Sequence, residues 1–143
     1  MGSDLKVGDI MTKKVIIIPY GKDLSEVARL MKRYGIGSVI VVEDEKSKKA
    51  RGIITERDVI HKVLSKNRDP YITRVEEMMS KPLRVIKSDT PIEDAAKAMR
   101  DNKVKRLPVV NEDNELVGIV SEGDIMKIFP LVIDLIEEKA ALA

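Results

Sequence analysis

The chain repeats itself, and that limits what it can fold into. Val7-Gly-Asp-Ile-Met-Thr-Lys13 aligns with Val75-Glu-Glu-Met-Met-Ser-Lys81. Both read apolar, two polar or small, two apolar, hydroxyl, lysine. Val41-Val42-Glu43-Asp44 then aligns with Val109-Val110-Asn111-Glu112, and Gly52-Ile-Ile-Thr-Glu-Arg-Asp58 with Gly118-Ile-Val-Ser-Glu-Gly-Asp124. The spacing, roughly 67 residues, exceeds the period of about 20–50 residues typical of solenoid repeats. Two copies predict a pseudo-two-fold pair, not an array.

Each copy shows the same order of elements. In the first, Val15–Ile18 reads as a short strand. Asp23 opens a helix with Glu26 three residues on, as in a capping box. Leu24, Val27, Ala28, Leu30 and Met31 form its apolar stripe, and Gly35 fits a left-handed helix end. Val39–Val42 is β-branched and predicts a buried strand. Gly52–Thr55 is a further strand, and Thr55 caps a helix to about Ser65. In the second copy, Thr90-Pro91-Ile92-Glu93 predicts a helix with Pro at its first position. That helix turns Ile92, Ala95, Ala96 and Met99 inward and ends near Asn102. Val109–Val110 and Val117–Val120 are strands around the turn Asn111–Asn114, and Ser121 opens the last helix. The fold class is therefore α+β, a β-α-β-β-α unit used twice. The boundaries are 7–66 for the first repeat, 67–74 for a linker with Asp69-Pro70, and 75–129 for the second repeat. Residues 130–143 read as an amphipathic C-terminal helix carrying Leu131, Leu135 and Ile136.

Composition removes several classes of function. There is no cysteine and one histidine, His61; thiolate zinc sites, cysteine nucleophiles and multi-histidine metal sites are excluded. Neither a catalytic nor a metal constellation is legible. The net charge of +2 lacks the basic excess of a dedicated nucleic-acid binder, and the basic loop Lys46–Arg51 reads as solvated. No apolar run reaches the roughly 20 residues of a membrane span, and no secretory leader is visible. A cytoplasmic protein with no membrane association is the expectation.

The chemistry gathers where a strand turns into a helix. Thr55 and Asp58, and again Ser121 and Asp124, place a hydroxyl and a carboxylate one turn apart. Free N–H groups and the positive dipole end there favour a phosphate. Arg57 adds charge, and an ionised aspartate accepts from two vicinal hydroxyls, as on a ribose. The same pairs also read as plain capping boxes.

Taken in order and twice over, these motifs resemble the CBS domain, named after cystathionine β-synthase. A tandem of two resembles a stand-alone Bateman module. The resemblance covers roughly residues 7–64 and 75–129. It implies a regulatory sensor of AMP, ADP or ATP, or of S-adenosylmethionine-type ligands, with no enzymatic activity and no other cofactor. It also implies a homodimer of modules; a ligand-free dimeric adaptor for an unknown protein partner is the alternative. Each ligand site would be composite. The Asp58 site would take Thr55, Arg57, Asp58 and Ile53, facing Met79–Arg84 with Val104 and Lys105. The Asp124 site would take Ser121, Asp124 and Ile119, facing Met11–Ile16 with Ile36, Gly37 and Ser38. Gly123 stands where the first copy has Arg57, and Gly37-Ser38 where the second has Lys105-Arg106. Basic side chains are thus expected to favour the Asp58 site, with Lys105 or Arg106 reaching it and phosphorylated ligands filling it first.

Overall fold

The computed structural model describes residues 5–47, 49–81 and 83–128; the tail helix expected at 130–143 lies outside them. The elements are α1 (Val7–Ile10), β1 (Ile17–Pro19), α2 (Leu24–Tyr34), β2 (Ser38–Val42), β3 (Ala50–Thr55), α3 (Glu56–Asp58), α4 (Val75–Met78), β4 (Ile86–Lys87), α5 (Ile92–Asn102), β5 (Arg106–Val110), β6 (Leu116–Ser121) and α6 (Glu122–Met126). The repeat is therefore α-β-α-β-β-α. Each copy builds a three-stranded sheet, ordered β1-β2-β3 and β4-β5-β6. The first pair in each sheet is parallel and the second antiparallel, with a register shift at Val41/Val42 and again at Val109/Val110.

Two hydrophobic cores lie under the helices. The first holds Ile18, Leu24, Val27, Val39, Val41, Ile54 and Val63; the second holds Ile92, Ala95, Met99, Leu107, Val109, Val120 and Ile125. Strands alternate faces, so Val39 and Val41 meet the helices while Ser38 and Ile40 face the other way. Ile40 is buried as well, which marks β2 as covered on both sides.

The openings of the repeats exchange places, as the resemblance implied for the segments facing the two sites, and the exchange extends to the cores, which the sequence did not foretell. Val7 of α1 belongs to the second core, whereas Val75 and Met78 of α4 belong to the first. Backbone bonds fix the exchange. Val7 N–H donates to the Thr90 carbonyl and Gly8 N–H to that of Ser88, both at 2.8 Å, while Val75 N–H donates to Lys22 at 2.9 Å. Val7 and Val75 are fully buried, each a contribution of about 1.5–3 kcal/mol relative to exposure.

Several local expectations shift. Helix α2 begins as foreseen: the Asp23 carboxylate accepts from Ser25 N–H at 2.9 Å and Glu26 N–H at 3.2 Å. The Ser25 hydroxyl also donates to it, and chiefly for that reason the carboxyl sits below its ordinary pKa. Gly35 closes α2 at φ +62°, in the left-handed region where a Cβ is unfavourable. By contrast, Pro91 is itself the N-cap of α5 and Thr90 makes no side-chain cap; the incoming Leu5 carbonyl accepts from Ile92 N–H. Ala28 and Ala96 face solvent. The helix expected from Thr55 to Ser65 is α-helical only through Asp58. It continues as a π-turn, Val59–Val63, and a 3-10 turn, Leu64–Lys66, ending on left-handed Asn67. Val63 enters the core, while Ile60 and Leu64 remain 53% and 59% exposed.

Candidate functional site

The exchange continues past the short helices and builds a site from both repeats. After α1, Thr12 pairs with Ile119 on β6: Thr12 N–H donates to Ile119 at 2.9 Å, and Ile119 N–H donates back at 3.0 Å. After α4, Ser80 N–H donates to the Ile53 carbonyl on β3 at 2.9 Å. The crossing strands need room. A Cβ on Gly118 would meet Met11 Sδ at 2.5 Å and the Thr12 carbonyl oxygen at 3.0 Å; on Gly52 it would meet Met79 Sδ at 2.5 Å and Met79 Cβ at 2.8 Å.

At the end of β6 the Ser121 hydroxyl accepts from Asp124 N–H at 3.1 Å, and Asp124 Oδ2 accepts from Ser121 N–H at 2.9 Å. The same box forms at β3, with 3.2 Å and 2.9 Å for Thr55 and Asp58. The capping role is thus real at both positions, and each box spends one carboxylate oxygen and leaves the other for further partners. Ile119 and Ser121 share the strand face opposite buried Val120, as Ile53 and Thr55 do opposite Ile54, so hydroxyl and isoleucine point together between the repeats.

A cleft of about 160 Å³ opens there, lined by Thr12, Lys14, Val15, Ile16, Ile36, Gly37, Ser38, Ile40, Arg106, Ile119, Ser121 and Asp124. It joins the expected Asp124 set: Ile16, Ile36 and Ser38 come from the first repeat, and Ile119, Ser121 and Asp124 from the second. The arrangement offers an aliphatic slot between two polar ends. It has a carboxylate and a helix start at one end and the cations Lys14 and Arg106 within reach.

Arg106 corrects the sequence expectation, which set it beside Asp58. It stands opposite Ser121 in the β5–β6 register, and directly paired residues share a sheet face. Its Nη2 lies 2.7 Å from where a Cβ on Gly37 would sit, and Glu56 Oε1 lies 2.8 Å from the same point. Arg106 therefore occupies the seam between the two aspartates. Lys105 is exposed and Val104 packs against the second core. Their backbone holds α6, since the Lys105 carbonyl accepts from Glu122 N–H at 2.9 Å, just as Gly37 accepts from Glu56 at 3.1 Å. Arg57 and Arg84 are exposed.

The Asp58 carboxylate differs from its counterpart. Lys62 Nζ lies 3.1 Å from Oδ1, and the Ser80 hydroxyl lies 3.5 Å from the same oxygen. Sequence reading missed Lys62; its position one turn after Asp58 was the available signal. A wider groove of about 590 Å³ runs along α2, lined by Lys22, Glu26, Arg29, Arg33 and Glu45 among others. Its lining carries charges of both signs. In the basic loop, Arg51 pairs with Glu43 at 3.0 Å. Among the described residues, no helix is long and apolar enough to cross a membrane, and no group of three or more His, Asp or Glu is placed to hold a metal ion.

Two duplicated α+β units that exchange their openings around an inter-repeat cleft define a paired regulatory, ligand-binding module. The chain belongs to the CBS domain family, whose model matches residues 7–65 and 75–131. An uncharacterized protein of Methanopyrus kandleri is 36% identical over 94% of this chain and 68% of its own length. A CBS domain pair crystallised with 5′-methylthioadenosine and S-adenosyl-L-methionine superposes with a TM-score of 0.79 at 29% identity, covering 90% of this chain and 98% of that one. The cytosolic domain of the magnesium channel MgtE in complex with ATP gives 0.73 at 32% identity, covering 90% of this chain and 50% of that one.

Proposed function

We propose that this chain senses adenosine-based ligands, AMP, ADP or ATP in the first place, in the cleft at Ser121 and Asp124. The observation that carries this is the cleft itself. One repeat brings a hydroxyl and a carboxylate at a helix start, and the other brings Ile16, Ile36 and Ser38 across a gap. The ribose hydroxyls donate to Asp124, the adenine lies against the isoleucines, and a phosphate finds the helix start with Arg106 or Lys14. Related modules crystallised with ATP, S-adenosylmethionine and methylthioadenosine support the shared adenosine part. Because S-adenosylmethionine carries no phosphate, a sensor of that type uses the same slot and leaves the cations free.

Thermal melting with AMP, ADP, ATP, S-adenosylmethionine and NAD tests this. A ligand at one hundred times its Kd adds about 2.7 kcal/mol of stability, a rise of several degrees for a chain of this size. If no adenosine compound raises Tm and none gives titration heat, the chain is instead a ligand-free adaptor.

The module is further proposed to work as a homodimer packed through its outer helical faces. Ile60, Leu64 and Met126 are 53%, 59% and 61% exposed on the helical segments and would supply apolar contact to such a face. Sedimentation is expected to show twice the 16.0 kDa chain mass at tens of micromolar; a species of single-chain mass would reject the dimer.

A further inference from the structure

We infer that Lys62 is a specificity-determining residue that closes the Thr55/Asp58 position, so that ligand occupancy begins at Ser121/Asp124. This rests on the adenosine-sensing role proposed above and reverses the order expected from the count of basic residues.

Asp58 has no oxygen to spare. Its Oδ2 accepts from Thr55 N–H at 2.9 Å and from the Thr55 hydroxyl at 3.1 Å. Its Oδ1 faces the Lys62 ammonium at 3.1 Å, with the Ser80 hydroxyl at 3.5 Å. The ammonium is held from other sides too, donating to the Met78 carbonyl at 3.3 Å and the Ser80 hydroxyl at 3.4 Å. Three donors thus meet three acceptors, the full capacity of a lysine. Two of those acceptors come from the exchanged segment of the second repeat, so the lysine ties the segment to the carboxylate that a ribose needs.

The second copy lacks this device. Aligning Asp58 with Asp124 puts Ile128 where Lys62 stands, and an aliphatic side chain cannot pair with a carboxylate. The nearby Lys127 lies 3.9 Å from Asp124 Oδ1 with its side chain 80% exposed. Among the described residues, no hydrogen bond reaches that oxygen. A ribose hydroxyl therefore meets an available acceptor at Asp124 and a neutralised one at Asp58.

Displacing Lys62 breaks a partly exposed ion pair, so the penalty is moderate, roughly two- to fivefold in affinity. Full-length chain carrying Asp124→Ala leaves Asp58 as the remaining ribose acceptor. Calorimetric titration of that background with adenosine, which has no phosphate to attract Lys62, is the test. Adding Lys62→Met is expected to tighten binding by roughly two- to fivefold; Lys62→Gln serves if the methionine variant does not fold. Lys62→Arg should stay weak, and Asp58→Ala should erase the gain. Unchanged affinity in Lys62→Met, or weaker binding because Lys62 itself holds the ligand, would overturn the inference while leaving the sensing role intact. Absence of binding to wild type and every variant, with AMP and S-adenosylmethionine as well as adenosine, would overturn both.

Discussion

Gly118→Ala is expected to lower the unfolding free energy by about 1–3 kcal/mol, the usual cost of forcing atoms into a packed site. The new Cβ would lie 2.5 Å from Met11 Sδ and 3.0 Å from the Thr12 carbonyl oxygen. The sulfur can swing aside. The carbonyl cannot, because Thr12 and Ile119 exchange two backbone hydrogen bonds at that point. The strain therefore falls on the exchanged opening, and α1, whose Val7 is buried in the second core, is pulled with it. Denaturant unfolding should show the loss. Met11→Ala in the same chain should recover little of it, because the contact with the Thr12 carbonyl remains. Gly52→Ala should behave alike through Met79. Wild-type stability in both glycine variants would mean that the openings do not cross as described.

The second large effect is on binding. Asp124→Ala is expected to weaken the tightest adenosine ligand by about 1.5–3 kcal/mol, or over tenfold, the range for hydrogen bonds to a charged group. The alanine also removes the acceptor for Ser121 N–H, so some stability is lost with it. A drop in affinity without a ligand contact would follow if the helix start merely loosened. Ser121→Ala separates the two cases: it removes a cap to Asp124 N–H but leaves the ribose acceptor in place. A ligand held by the carboxylate is therefore weakened much more by Asp124→Ala. Equal losses from both variants would point to the cap alone.

What the sequence reveals is what is decided locally. The β-branched run Val39–Val42 is a buried strand because its side chains suit nothing else, and Gly35 ends α2 because the backbone there is left-handed. The two hydroxyl–aspartate boxes were legible for the same reason: all their partners lie within four residues. Thr90 does not cap α5; its carbonyl accepts from Val7 N–H and the Ile92 N–H donates to the Leu5 carbonyl, so the distant segment Leu5–Gly8 engages the helix start. The exchange of α1 and α4 was hidden because a four-residue helix shows too little periodicity to say which core it enters. The helical run from Thr55 to about Ser65 was legible in extent, but its π and 3-10 turns were not: Val59, Ile60, Val63 and Leu64 spread around it, so pattern alone could not choose Val63 as the inward residue. The composite cleft was legible only through the family resemblance. Its seam was not: pairing Arg106 with Ser121 requires the strand register, and although Lys62 stands one turn after Asp58, its hold on Met78 and Ser80 requires the exchange of the openings.

Where the ligand sits is shown most directly by a crystal of the full chain grown with its tightest adenosine ligand at low occupancy. The predicted result is density in the cleft at Ser121/Asp124, with the ribose on the Asp124 carboxylate and the base between Ile16, Ile36 and Ile119. Density only in the charged groove along α2, or at Thr55/Asp58 with the Ser121 cleft empty, would contradict it.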